Sequence, residues 1–247
     1  MNSKSKTKGP TSGRKLITVT KPQHIISEQF RTIRTNLSFS MPDRDLRTLL
    51  ITSSVPGEGK STNAANIAVV FAQEGKRVLL IDADMRKPTL HYTFPMPNSQ
   101  GLSTILTKQH EYIEAIEVTY VEGLYIIPSG PIPPNPSELL SSRNMELFLE
   151  TVIQEFDIVI FDAPPVLSVS DALILGNKCD GTLLIVNSGA VDKSDVVKAK
   201  TSLQSSQANI LGAVLNNFKI PNSNYYYDNY GYGYGHGDKK AKKVKKF

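Results

Sequence analysis

A chain of 247 residues, 40% hydrophobic and 21% charged, can bury a core, fits a single domain and is not disordered as a whole. Its one cysteine, Cys179, excludes an internal disulfide framework and points to a reducing cytosol. The longest nearly apolar stretch, residues 64–72, is broken by Asn66 and covers about half a membrane span. The net charge of +5 would suit a nucleic-acid reader, but it sits on the two ends and leaves residues 16–237, with 17 basic and 22 acidic groups, at −5. A nucleic-acid reader needs its positive charge fixed on the folded surface, so no nucleic-acid partner is expected.

In chain order, residues 1–15 carry five basic side chains and no acid, with no apolar run behind them, and read as a flexible N-terminus rather than a signal peptide. Residues 24–39 read as an extra helix, set off by Met41, Pro42 and Asp43. Strands are predicted at 47–53, 77–82, 123–128, 157–162, 181–187 and 210–216, and helices at 60–74, 136–156, 170–179 and 192–207. Most of the strands are continuously apolar, as in Val78-Leu79-Leu80-Ile81 and Ile158-Val159-Ile160-Phe161. That pattern belongs to strands buried on both faces. The alternation predicts an α/β fold: a mostly parallel sheet with helices on both faces and right-handed crossovers, over residues 16–220. Residues 221–247 have no apolar period and are punctuated by Gly231, Gly233, Gly235 and Gly237, so they read as a disordered tail. It ends in six lysines against Asp238. Basic ends suit an anionic membrane surface, an acidic partner or simple solvation.

Ser54-Val55-Pro56-Gly57-Glu58-Gly59-Lys60-Ser61 follows a buried strand and opens a helix. Glycines there let backbone N–H groups wrap around phosphate oxygens, and the helix N-terminus adds its free donors. The cofactor-binding set is Gly57, Glu58, Gly59, Lys60, Ser61 and Thr62. Lys60 would reach the β- and γ-phosphates of ATP, and the Ser61 hydroxyl would ligate Mg2+. Ser54 stands where the usual first glycine would be. Asp82 and Asp84 end one buried strand and Asp162 another, at the sheet edge where α/β ligands bind. Mg2+ takes one or two carboxylates besides phosphate and water, so Ser61, Asp82 and Asp162 are the metal candidates. An acid is left to take a proton from an incoming hydroxyl. Asn216 and Asn217, after the last strand, are nucleobase candidates by position, whereas His24, His91, His110 and His236 show no metal spacing. Cys179 reads as a packing residue.

With these motifs the chain resembles the bacterial tyrosine kinases (BY-kinases) of the CpsD/CapB type, P-loop ATPases related to the MinD/ParA group. The loop 54–61, Asp82-Ala83-Asp84-Met85-Arg86, the Asp162 strand, the segment 129–136 and the tyrosine-rich tail carry the likeness. The resemblance implies an ATP-dependent protein-tyrosine kinase that phosphorylates its own tail between subunits and regulates capsular or exopolysaccharide synthesis and export. It implies a homo-oligomer, a ring in the family, with a transmembrane activator (a polysaccharide co-polymerase) and a cognate phosphotyrosine phosphatase as partners. It further implies a cytoplasmic protein recruited to the inner face of the plasma membrane. Lys60, Asp82, Asp84 and Arg86 become the catalytic set, with Asp82 as proton acceptor and Arg86 and Lys87 steering the tail. The phosphoacceptors would be Tyr225, Tyr226, Tyr227, Tyr230, Tyr232 and Tyr234. Glu28, Arg31 and Arg34 match the family's subunit-contact element; on spacing alone they could equally be a solvated face with an internal ion pair. The alternative is a MinD/ParA-like positioning switch without kinase activity. Those proteins carry a lysine where this chain has Val55, and need no tyrosine cluster.

Overall fold

The computed structural model describes residues 15–42 and 44–219. The expectations for the basic N-terminus up to residue 14, for the tail 221–247 and for its six tyrosines lie outside the described residues. Strands β1 (Thr48–Ser53), β2 (Val78–Asp82), β3 (Glu117–Val118), β4 (Leu124–Ile127), β5 (Ile158–Asp162), β6 (Gly181–Asn187) and β7 (Ile210–Asn216) form one sheet in the order β3-β4-β2-β5-β1-β6-β7. All neighbours pair parallel except β3, a two-residue edge strand antiparallel to β4 that the sequence did not announce.

Each central strand divides its side chains between two cores. Leu49, Ile51, Val78, Leu80, Ile158 and Ile160 face one core together with Ile67 and Phe71. Leu50, Leu79, Ile81, Val159 and Phe161 face the other, with Met145, Phe148 and Leu175. Every residue of β1, β2 and β5 is buried, which is why these strands read as unbroken apolar runs. β7, on the other edge, is only partly covered, and Leu215 is half exposed.

One face carries α1 (Ile17–Thr20), α2 (Ile25–Phe39) and α3 (Lys60–Ala72). In α3 all residues from Asn63 to Ala72 are buried. Asn66, the interruption in that apolar run, accepts hydrogen bonds from Thr18 N (3.2 Å) and Thr18 Oγ1 (2.8 Å) and so ties α1 to α3. Short helices α4 (Leu90–Thr93), α5 (Leu102–Leu106) and α6 (Tyr112–Ala115) lie between β2 and β3. The predicted helix 136–156 is two helices, α7 (Pro136–Ser141) and α8 (Arg143–Glu155). Ser142 leaves helical geometry (ψ 159°), and its Oγ accepts from Met145 N at 3.3 Å, capping α8. α9 (Asp171–Lys178) and α10 (Lys193–Ser205) complete the second face. Among the described residues no helix is long and apolar enough to cross a membrane.

Candidate active site

The carboxyl edge of the sheet gathers the charged residues. β1 ends at Ser53 and the chain turns through residues 54–59 into α3. Gly57 and Gly59 both sit at φ +88°, the left-handed region that a Cβ disfavours. Gly59 is also the N-cap of α3 and offers no side chain to its first-turn amides, which leaves them for an anion.

Glu58 also braces the loop through its side chain. Its buried carboxylate accepts from Val55 N (2.9 Å) and from Asn187 N at the end of β6 (2.9 Å). Asn216, a nucleobase candidate by position, donates from Nδ2 to Glu58 O at 2.8 Å. Asn217 Nδ2 donates to Asn187 Oδ1 at 3.0 Å. The ends of β6 and β7 thus hold the loop from behind, a role with no local sequence signal because the partners lie more than a hundred residues away.

Parallel register places Asp82 beside Asp162. Lys60 Nζ lies 2.9 Å from Asp84 Oδ2, 3.4 Å from Asp162 Oδ1 and 3.4 Å from Ser61 Oγ. Burial opposes the Lys60 charge, but Asp162, Asp84 and Asp82 outweigh it and hold its pKa above the ordinary lysine value. Asp162 is fully buried, its Oδ2 has no hydrogen-bond partner, and burial pushes its pKa up against the pull of Lys60.

Asp82 is braced rather than presented. Its Oδ2 accepts from Thr89 N and Leu90 N, each 2.9 Å, and its Oδ1 from Asp84 N at 3.2 Å. Three of its roughly four acceptor positions are therefore taken. Asp84 lines the cleft, and Asp82 lies behind it at the strand end. Burial, then Asp162, raise the Asp82 pKa from 3.8 to about 7. Between those values the folded chain holds more protons than the unfolded one, so stability falls as pH rises from about 4 towards 7. The melting temperature should accordingly change between about pH 4 and pH 7 with a more downward slope in the wild type than in Asp82→Asn; parallel slopes would contradict the assignment.

Arg86, expected to steer a substrate, is committed to Asp171. Its Nε and Nη2 each donate at 3.0 Å to the two carboxylate oxygens of this fully buried residue, the first of α9. The bidentate pair ties the loop after β2 to the segment after β5. Asp171 carries no motif of its own, and its importance shows only in the fold. Lys87 N donates to Asp84 Oδ1 at 3.0 Å and fixes that carboxylate's orientation.

A cleft of about 460 Å³ joins these parts, lined by Gly57, Lys60, Ser61 and Thr62 on one side and by Asp84, Arg86 and Pro165 among others. A larger cleft of about 600 Å³, beside Phe39, Arg44 and Lys76, contains none of the loop or acid residues. The groups present fit a magnesium nucleotide. A glycine-shaped anion loop and a half-buried lysine suit phosphate oxygens, and a hydroxyl and an unpartnered buried carboxylate oxygen supply part of a metal shell. Among the described residues no cluster of three or more His, Cys, Asp or Glu could hold a metal by itself, so phosphate oxygens would have to complete the shell.

The Glu28, Arg31 and Arg34 stripe lies along α2, but its side chains have partners within the chain. Arg31 pairs with Glu28 and donates to Pro22 O at 2.9 Å. Arg34 reaches Val70 O at 3.2 Å and lies 3.6 Å from Glu74.

Comparison with known proteins agrees with this geometry. The family model described as an AAA domain matches residues 46–191. Tyrosine-protein kinase YwqD of Bacillus subtilis is 47% identical over 221 residues, covering 90% of this chain and 93% of that protein. The crystal structure of the chimerical protein CapA2B2 superposes with a TM-score of 0.81 at 43% identity, covering 83% of this chain and 90% of that one. The cell division ATPase MinD of Pyrococcus furiosus shares the P-loop fold at a TM-score of 0.59 and 25% identity, over 68% of this chain and 71% of its own. With a relative so similar over nearly its whole length, and with the loop, the lysine and the acids meeting in one cleft, this chain belongs to the family of bacterial tyrosine-protein kinases.

Proposed function

We propose that the chain transfers the terminal phosphoryl group of ATP, with Mg2+, to tyrosines of its own C-terminal cluster in another copy, and thereby regulates capsular or exopolysaccharide synthesis and export. The observation that carries this reading is the meeting of Lys60, Asp84 and Asp162 at the mouth of the glycine loop. Bound MgATP supplies an activated phosphoryl group, and transfer through a loose transition state depends mainly on positioning and charge neutralisation. The amides of residues 57–61 bind phosphate oxygens, and Lys60 offsets their charge. Ser61 Oγ and the unpartnered Asp162 Oδ2 are the groups that would hold the metal. Asp84, at the cleft, accepts the phenol proton, while Asp82 braces the strand end. The tyrosine hydroxyl, neutral near pH 7, needs little further activation.

The wider assembly belongs to the same proposal. One of the solved relatives is described as a chimerical protein, CapA2B2, and a chimera joins parts of different polypeptides, which favours a partner polypeptide here. We place this chain in the cytoplasm, brought to the membrane by a transmembrane activator, joined to further copies through Glu28, Arg31 and Arg34, and reset by a phosphotyrosine phosphatase. Residues 16–220 would form the kinase domain and 221–247 its substrate tail.

The test mixes two copies, Lys60→Met with an intact tail and an active copy ending at residue 220. After incubation with MgATP, mass spectrometry should find phosphotyrosine in residues 225–234 of the Lys60→Met copy, and none when it is alone. No labelling in the mixture would refute transfer between copies. Residues 221–247 carry a net +4, and six phosphotyrosines would bring them to roughly −5 to −8. Facing a body whose residues 16–220 sum to −4, the labelled tail should dissociate, and light scattering should show smaller oligomers than before labelling.

A further inference from the structure

Part of the cleft lining has no use for phosphate. Pro56, Pro164, Pro165 and Val169 line the same space as Lys60 and Asp84. Phosphate oxygens gain nothing from apolar surface, whereas an aromatic ring does. Pro164 and Pro165, consecutive and largely buried, back this space without an N–H donor, and Pro56 and Val169 supply its more exposed apolar surface.

The segment that forms most of this surface is held firmly. Thr52 Oγ1 donates to Pro164 O at 2.7 Å. Val166 N donates to Ser53 O at 2.8 Å and Leu167 N to Ser54 O at 3.2 Å, so the segment is sewn to the base of the glycine loop. The Arg86–Asp171 pair anchors its far end. An apolar surface and a carboxylate that lines the cleft are therefore fixed in one space by groups on three different elements.

We infer that Pro56, Pro164, Pro165 and Val169 form the subsite for the phenol ring of the acceptor, and that this wall sets tyrosine above serine and threonine. The inference rests on the kinase reading and adds to it a location and a selectivity for the acceptor. Its occupant is the aromatic segment of a second copy, where six of the ten residues 225–234 are tyrosine. A ring lying on the wall buries its apolar faces and carries its hydroxyl at the far tip. A serine or threonine hydroxyl sits one bond from Cβ, so those side chains would leave the wall in contact with water. The discrimination is then a matter of shape and burial rather than of proton affinity.

The test uses the full-length protein and two fluorescent peptides of residues 225–234. One keeps phenylalanine at the Tyr227 position and serine at the other tyrosines; the second has serine throughout. Neither carries a tyrosine, so binding by anisotropy is read without tyrosine phosphorylation. Val169→Ser should weaken the phenylalanine peptide about tenfold and leave the serine peptide and a fluorescent ATP analogue unchanged within about twofold. Pro56→Ser, on the facing loop, should act in the same direction and guards against misfolding of either variant. In turnover with tyrosine and threonine peptides, both variants should lose selectivity through the KM of the tyrosine peptide. If ATP-analogue binding falls while the phenylalanine peptide holds, the wall takes the nucleobase and the inference is overturned. Unchanged peptide binding in both variants overturns it too. A wild type that binds the phenylalanine peptide in a wall-dependent way yet never forms phosphotyrosine would leave the subsite standing and refute the kinase reading.

Discussion

Gly59→Ala is expected to lower the melting temperature by about 5–10 °C and to remove most nucleotide affinity. The residue is held at φ +88°, where an alanine costs roughly 1–2 kcal/mol. Its new Cβ would lie 2.4 Å from Asn216 Nδ2, so that side chain must move. The displaced amide gives up its hydrogen bond to Glu58 O, worth about 1 kcal/mol more. Gly57→Ala is the control: the same φ, but nothing within 4 Å of the added carbon. It should show the backbone cost alone. Adding Asn216→Ala to Gly59→Ala should recover part of the loss, because the two residues share one contact. Thermal unfolding and ATP-analogue titration of the wild type and these three variants check this. Equal losses in Gly57→Ala and Gly59→Ala would show that the hold of β7 on the loop contributes nothing.

Asp84→Asn should cut phosphotyrosine formation by about 10²–10⁴-fold while ATP binding stays within reach of the wild type. Asp84 is the acid that lines the cleft, and an amide cannot take the phenol proton. Asp82→Asn is expected to behave differently. Its Nδ2 would face backbone N–H groups that now donate to a carboxylate, at a cost of about 1–3 kcal/mol in stability. Its turnover should fall less than that of Asp84→Asn. Single-turnover rates beside unfolding curves separate the two, and the reverse order of rates would return the proton to Asp82.

The glycine loop and the three strand-end acids were legible because their signals are local. A buried strand, a glycine turn and a helix start follow one another within about twenty residues, and an acid after an apolar run marks the carboxyl edge of the sheet. The central strands β1, β2 and β5 were legible for the same reason, since burial on both faces writes itself into consecutive residues. Contacts between distant segments leave no such trace. Nothing around Asp171 marks it as the partner of Arg86, and nothing near Glu58 says that it reaches Asn187. Ser142 hid the break between α7 and α8 because no glycine or proline lies between residues 137 and 155 to mark it. β3 escaped notice because two residues are too few to show any period.

Cys179, packed at the end of α9 in the second core, gives the molecule an internal clock for its own opening. Burial pushes its thiol pKa far up, so the reactive thiolate is scarce while the core stays closed. With one sulfhydryl in the sequence, alkylation of the native protein times how often the packing around α9 parts. A cysteine engineered onto any exposed position would take a maleimide dye ahead of it. Single-site labelling for energy-transfer experiments therefore needs no prior removal of a native thiol.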